Sequence, residues 1–73
     1  MNYNETEKRY ISIIESNLKH FNTGRRKRLD VHFYIAGGNR ALVLFGGSTV
    51  AADLTIQETY YFVFGFIQGR KNK

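Results

Sequence analysis

The segment LDVHFYIAGGNRALVLFGGSTVA, residues 29–51, decides the fold of this 73-residue chain. Its first seven residues alternate between two faces. One face carries Leu29, Val31, Phe33 and Ile35, and the other carries Asp30, His32 and Tyr34. This alternation predicts a β-strand with one buried and one polar face.

Turn residues and a second apolar run follow directly. Gly37, Gly38 and Asn39 have the composition of a hairpin turn. Residues 40–45 (RALVLF) then predict a second strand that is apolar on both faces. A strand of this kind is usually central in its sheet or covered on both sides.

Gly46 and Gly47 predict a second tight turn. A two-residue turn here would set up two cross-strand pairs: Phe45 with Ser48, and Val43 with Val50. Residues 48–52 are then either a short third strand or a loop of small residues, and the sequence leaves both open.

A helix is predicted before this segment, over residues 4–21. Asn4 and Glu7 have the spacing of a capping box at its start. Apolar residues recur at helical spacing along it and form one stripe: Tyr10, Ile11, Ile14, Leu18 and Phe21.

A second helix is predicted from residue 55 or 56 to residue 69. Thr55 and Glu58 form its capping box. Its predicted core stripe is Ile56, Tyr60, Val63, Phe64 and Ile67. Further apolar side chains widen this stripe, so the helix is expected to be buried on more than one side.

The resulting order is α-β-β-(β)-α, a small antiparallel sheet with flanking helices in the α+β class. Seventy-three residues make one domain, with a basic loop at residues 22–28 and a basic tail at residues 70–73 that is expected to fray. Three strands would return the last helix toward the start of the first strand, and the tail would then join the basic loop. Two strands would instead bring the tail near Arg40.

Positive charge is the sharpest functional signal. The net charge is +5, and GRRKR at residues 24–28 holds four cations in five positions. Dense cations on a loop are suited to phosphate groups, but they also fit an acidic protein face or a solvated loop with no specific role. The predicted basic patch comprises Arg25, Arg26, Lys27, Arg28, Arg40, Arg70 and Lys71.

Aromatic residues mark a second predicted surface. Tyr34 is a candidate for base stacking, although such residues are more often covered by a helix or a second subunit. Gly65 and Gly69 lie four residues apart on the last helix, which fits close packing on the sheet, fraying, or a partner contact. The predicted interface residues are Tyr34, Tyr61, Phe62, Gly65 and Phe66, and we expect a homodimer because a short chain often gains core by oligomerising.

Residues for catalysis and metal binding are sparse. No nucleophile, base and orienting group converge by spacing, so we predict no enzyme activity and no cofactor. His20 and His32 are the two histidines, and a metal site needs more ligands than these provide. The apolar run at residues 60–67 is too short to span a membrane, and the absence of cysteine fits a reducing cytoplasm.

The segment LTIQETYYFVFGFIQG, residues 54–69, resembles the ends of small orphan accessory proteins of phages and mobile elements of low-GC Gram-positive bacteria. The resemblance covers about the C-terminal half. It implies a cytoplasmic protein of the host cell that binds and redirects host machinery, as anti-CRISPR and anti-restriction inhibitors do. It implies no catalytic residues.

Three functions are therefore predicted for a small non-enzymatic binding protein. The first is an accessory inhibitor that acts on a host nucleic-acid machine through the basic loop, by contacting a nucleoprotein or an acidic protein surface. The second is a direct DNA- or RNA-binding regulator that uses the same patch. The third is a structural or assembly subunit of a phage or mobile element. Steep salt dependence of binding would distinguish the second from the others.

Overall fold

A computed structural model describes residues 2–71 of the chain, apart from the side chain of Lys71. Five elements follow one another: α1 (Glu5–Asn22), β1 (Leu29–Ile35), β2 (Asn39–Phe45), β3 (Ser48–Leu54) and α2 (Ile56–Lys71). The predicted α+β class is confirmed. The segment that the sequence left open between strand and loop forms the third strand.

The three strands form one antiparallel sheet in the order β1-β2-β3, so the doubly apolar β2 is central as predicted. β1 and β2 pair without interruption from Leu29 opposite Phe45 to Ile35 opposite Asn39. The predicted pair of Phe45 and Ser48 also forms.

Pairing between β2 and β3 contains two irregularities. Val43 lies opposite Ala51, so the predicted pairing of Val43 with Val50 is wrong. Ala41 lies opposite Leu54, and β3 therefore uses an extra residue between these two pairs. Such extra residues are accommodated as bulges, which bend a strand and interrupt its ladder.

The helices pack together and against one face of the sheet. Ile14 of α1, Leu29 of β1, Val43 of β2 and Val63 of α2 are completely buried and belong to one core cluster. His32 lies on the other face and is exposed. The molecule is therefore a two-layer structure with its core between the helices and the sheet.

Both predicted capping boxes are present. The Glu7 amide donates to the Asn4 side chain over 2.7 Å, and the Asn4 amide donates to the Glu7 carboxylate over 3.0 Å. Thr55 and Glu58 make the equivalent pair at the start of α2. Each cap satisfies backbone N–H groups that the first helical turn leaves without partners.

Two predictions for α2 are wrong. The helix continues to Lys71, two residues beyond the predicted end at residue 69, while residues 72 and 73 of the predicted tail lie outside the described residues. Phe64 is 48% exposed instead of buried, and Thr59 is fully buried. Successive helical residues turn by about 100°, so once Val63 faces the core, Phe64 points toward its border.

No helix among residues 2–71 is long and apolar enough to cross a bilayer.

Candidate nucleic-acid interface

The basic loop and the end of α2 meet at one end of the molecule. The Nζ of Lys27 lies 5.9 Å from the centroid of the Phe45 ring, and the Cζ of Arg70 lies 4.9 Å from the same centroid. Because β3 is a strand, α2 runs back toward the start of β1, which is the arrangement that three strands predicted. We call the exposed residues 25–28 together with Arg70 the cationic end.

An aromatic cluster supports these cations from beneath. The ring centroids of Phe45 and Phe66 are 5.1 Å apart, and both rings lie close to Phe21. The Cζ of Arg25 lies 3.9 Å above the Phe21 ring, and the Cζ of Arg70 lies 4.7 Å from the Phe66 centroid. Cation–π contacts of this kind contribute about 0.5–1 kcal/mol at exposed sites, and they hold the guanidinium groups in place.

The cationic end has no acidic partner within the described part of the chain. The two ion pairs found there are Lys8 with Glu5 at 3.7 Å and Arg40 with Asp53 at 3.8 Å. The side chains of residues 25–28 and Arg70 are exposed. Their charges therefore act together on the solvent and on any anion that approaches.

Asp30 forms no ion pair with Arg28, although the two residues are close in sequence. The two residues line the same surface depression, but both are exposed to solvent. An exposed ion pair gains little energy and restricts two long side chains. Arg28 therefore remains available to an external anion.

A buried asparagine fixes the position of the basic loop. The Nδ2 of Asn22 donates to the carbonyl of Leu29 over 2.9 Å, and the amide of Leu29 donates to the Oδ1 of Asn22 over 2.8 Å. This role of Asn22 was not predicted from the sequence. The sequence clue is that Asn22 lies four residues after Leu18, so a polar side chain occupies the position where the buried stripe of α1 continues.

Arg40 lies away from the cationic end, so the predicted basic patch is not one surface. It stands at the opposite end of β2 from Phe45, five residues away, which corresponds to about 17 Å along a strand. Its Nε faces Asp53, and its guanidinium donates to the carbonyl of Asn39 over 3.0 Å. Lys71 ends α2 near Arg70, but its side chain is outside the described groups.

The predicted aromatic interface is also divided. Tyr34 is half-buried on the sheet face away from the helices, and its hydroxyl lies 3.4 Å from the carboxylate of Asp53. Phe62 and Phe66 pack against the core cluster. Tyr61 is 57% exposed, and Gly65 is exposed beside it on the outer side of α2.

Tyr61 instead belongs to an aromatic group between the two helices. The Tyr10 and Tyr60 rings lie 4.9 Å apart, and the Tyr60 and Tyr61 rings lie 5.1 Å apart. Desolvation, followed by the neighbouring Tyr61, raises the pKa of the Tyr10 hydroxyl. The raised pKa keeps the Tyr10 hydroxyl neutral at physiological pH, so it adds no charge to the cationic end.

Gly65 does not serve close packing on the sheet. A Cβ built at this position meets no atom within 4 Å. The same holds for Gly69. The explanation based on packing against the sheet is therefore wrong for both glycines.

The histidines lie apart and form no metal site. His20 borders a groove with Phe21 and Arg25 between the ends of the two helices, whereas His32 is on the outer face of the sheet. Over residues 2–71 no three His, Cys, Asp or Glu side chains are grouped so that they hold a metal ion.

Comparison with family models, with curated proteins and with solved structures finds no match to this chain. The predicted resemblance to phage accessory proteins therefore stays a prediction. A function for the cationic end has to rest on its own geometry, which is a set of exposed, aromatic-supported cations without acidic partners.

Proposed function

We propose that this protein is a non-enzymatic binding module that holds the phosphate backbone of a nucleic acid at its cationic end. The observation that supports this proposal is that residues 25–28 and Arg70 share one end of the molecule, where no ion pair forms within the described residues. Like charges held together repel one another. A polyanion relieves this repulsion and releases its own condensed counterions on binding.

The aromatic rings at this end favour contact with phosphate over contact with bases. Phe21 is buried, and Phe45 and Phe66 are half-buried and pack edge to face against each other. Guanidinium groups already cover them on the solvent side. Bases stack on exposed ring faces, whereas phosphate oxygens accept forked hydrogen bonds from guanidinium groups.

Binding of this kind is independent of sequence, because contacts to the backbone position a protein on nucleic acid but do not read its bases. The inhibitor role implied by the phage resemblance would use the same surface, against a nucleoprotein that displays phosphate. That role stays a prediction, as does its assignment to a bacterial cytoplasm.

The test is fluorescence anisotropy with labelled duplex DNA and single-stranded RNA of mixed sequence, measured across a salt series. Five neutralised phosphates give a slope of log affinity against log salt of about −4.5 on duplex DNA. The variant Arg26→Gln with Arg28→Gln should reduce this slope by about 2 units. Neither side chain makes a ring contact or an ion pair among the described residues, so the fold should be unaffected.

The matched control is Lys8→Gln with Arg9→Gln. It also removes two charges from the net +5, but from the first turns of α1, at the end of the molecule away from the basic loop. The control should bind nearly as well as the wild-type chain. Equal weakening of both variants, or no binding at low salt, would contradict a phosphate site at the cationic end.

A further inference from the structure

The outer edge of β1 presents backbone groups that have no hydrogen-bond partner within residues 2–71. The Gly46 amide donates to the Arg28 carbonyl over 3.0 Å, so even-numbered residues of β1 direct their backbone groups toward β2 and odd-numbered residues direct them away. Leu29 is the first outward-facing residue, and the Asn22 side chain occupies both its N–H and its C=O.

Three further outward positions follow on this edge: Val31, Phe33 and Ile35. No hydrogen bond from the described residues reaches their outward N–H and C=O groups. Unpaired groups along a strand are a template for another strand. The site is therefore bounded by the Asn22 side chain at one end and by the turn after Ile35 at the other.

The opposite edge strand, β3, has features that oppose pairing with another strand, and β1 lacks them. β3 carries two irregularities, and Asp53 adopts a positive φ of 58°. Bulges distort an edge and oppose pairing. β1 pairs regularly with β2, has no Lys, Arg or Pro between Leu29 and Ile35, and ends on an Ile35 that is 62% exposed.

We infer that the outer edge of β1 pairs with the same edge of a second copy, forming a continuous six-stranded antiparallel sheet. The three available positions are symmetric about Phe33, so a two-fold axis at this residue fixes the register. Phe33 then lies opposite Phe33 of the other copy, and Val31 lies opposite Ile35. Each such pair exchanges two N–H···O=C bonds and matches apolar side chains on the helix-covered face.

Charge permits a second copy in this antiparallel arrangement, because the two basic loops stay far apart. The basic loop immediately precedes β1, so antiparallel pairing places the two loops at opposite ends of the paired strands. With the two-fold axis at Phe33, the Leu29 residues that follow the two loops are eight residue spacings apart, or about 26 Å, well beyond the screening length of about 8 Å at physiological ionic strength. The two cationic ends remain open, and the dimer uses β1 instead of the α2 surface that the sequence suggested.

Backbone amide exchange tests this interface without a substitution. In NMR measurements at low and at high protein concentration, the amides of Val31, Phe33 and Ile35 should gain protection as sedimentation shows dimer formation. The Thr49 amide, which faces away from β2 on the other edge, should exchange at one rate throughout. A chain that stays monomeric at high micromolar concentration would overturn the inference. So would a dimer in which these three amides gain no protection, or one whose concentration-dependent shifts centre on Tyr61 and Phe64.

Proline provides a matched pair of variants, because it removes one outward N–H and is tolerated on edge strands. Ile35→Pro should weaken dimerisation about tenfold or more, since each copy loses a hydrogen bond. Thr49→Pro, on the β3 edge, should leave it unchanged. Equal dimerisation by both folded variants would reject the β1 interface. If Ile35→Pro fails to fold, the amide exchange of the wild-type chain decides.

This inference is independent of the proposed function. Sedimentation reports the dimer, and anisotropy reports phosphate binding. The variant Arg26→Gln with Arg28→Gln should still dimerise, and Ile35→Pro should retain an intact cationic end.

Discussion

Asn22 connects the fold to the cationic end through a single side chain. It is the last residue of α1 and is 6% exposed. Its amide bonds both backbone groups of Leu29, as a neighbouring strand would. It thereby anchors both ends of the loop that carries Arg25, Arg26, Lys27 and Arg28.

Asn22→Ala should lower the free energy of unfolding by about 2–3 kcal/mol, because a buried N–H and C=O lose their partners and such losses cost about 1–3 kcal/mol. Urea denaturation measures the change. The control is Asn17→Ala on the same helix, where no hydrogen bond of the side chain is found within residues 2–71 and alanine is the better helix former. Similar results for the two variants would show that the Asn22 clamp contributes little.

At the scale of the element, α2 has apolar residues around most of its surface, so its sequence pattern does not specify which side is buried. Val63 is buried, whereas Phe64 beside it is half exposed. Gly65 follows on the same exposed side and lies in open space. The chain thus retains a helix-weakening residue that no intramolecular packing requires.

Gly65→Ala should stabilise the fold by up to about 1 kcal/mol, because alanine loses less backbone entropy than glycine in a helix. Thermal and urea denaturation measure the gain. Gly47→Ala is the matched substitution in the second turn, where φ is +85°. It should destabilise the fold by about 1–2 kcal/mol, because the added Cβ is strained in this left-handed region. Destabilisation by Gly65→Ala would instead indicate that another backbone approaches α2 closely.

At the scale of the whole molecule, positive charge is concentrated at one end. The acidic side chains that pair lie elsewhere: Glu5 near the start of α1, and Asp53 beside Arg40. The fold therefore confines repulsion to the cationic end, where partial screening by salt is effective because the groups are exposed.

This concentration of charge predicts a salt-dependent stability. Raising ionic strength from a low value should raise the Tm of the wild-type chain, because screening weakens the repulsion among residues 25–28 and Arg70. Arg26→Gln with Arg28→Gln should raise the Tm at low salt and flatten its salt dependence. Lys8→Gln with Arg9→Gln should do neither. Calorimetry in buffers of increasing salt measures all three, and a wild-type Tm that is insensitive to salt would contradict the repulsion.

The sequence by itself determined the local features of this protein. The capping residues Asn4 and Thr55, the alternation of β1 and the glycine turns all depend on neighbours within about four residues, and the structure confirms each of them. The four cations of the loop could also be identified from the sequence, because the number of charges in a segment depends only on its residues.

Only the tertiary structure decided how distant residues meet. It added Arg70 to the loop, separated Arg40 from it, turned Phe64 outward and placed Asn22 against Leu29. Each outcome depends on the direction in which a third strand returns the chain, on the rotation of a helix, or, for Asn22, on a side chain that bridges the basic loop. These arrangements are set by how whole elements pack, so no local pattern specifies them.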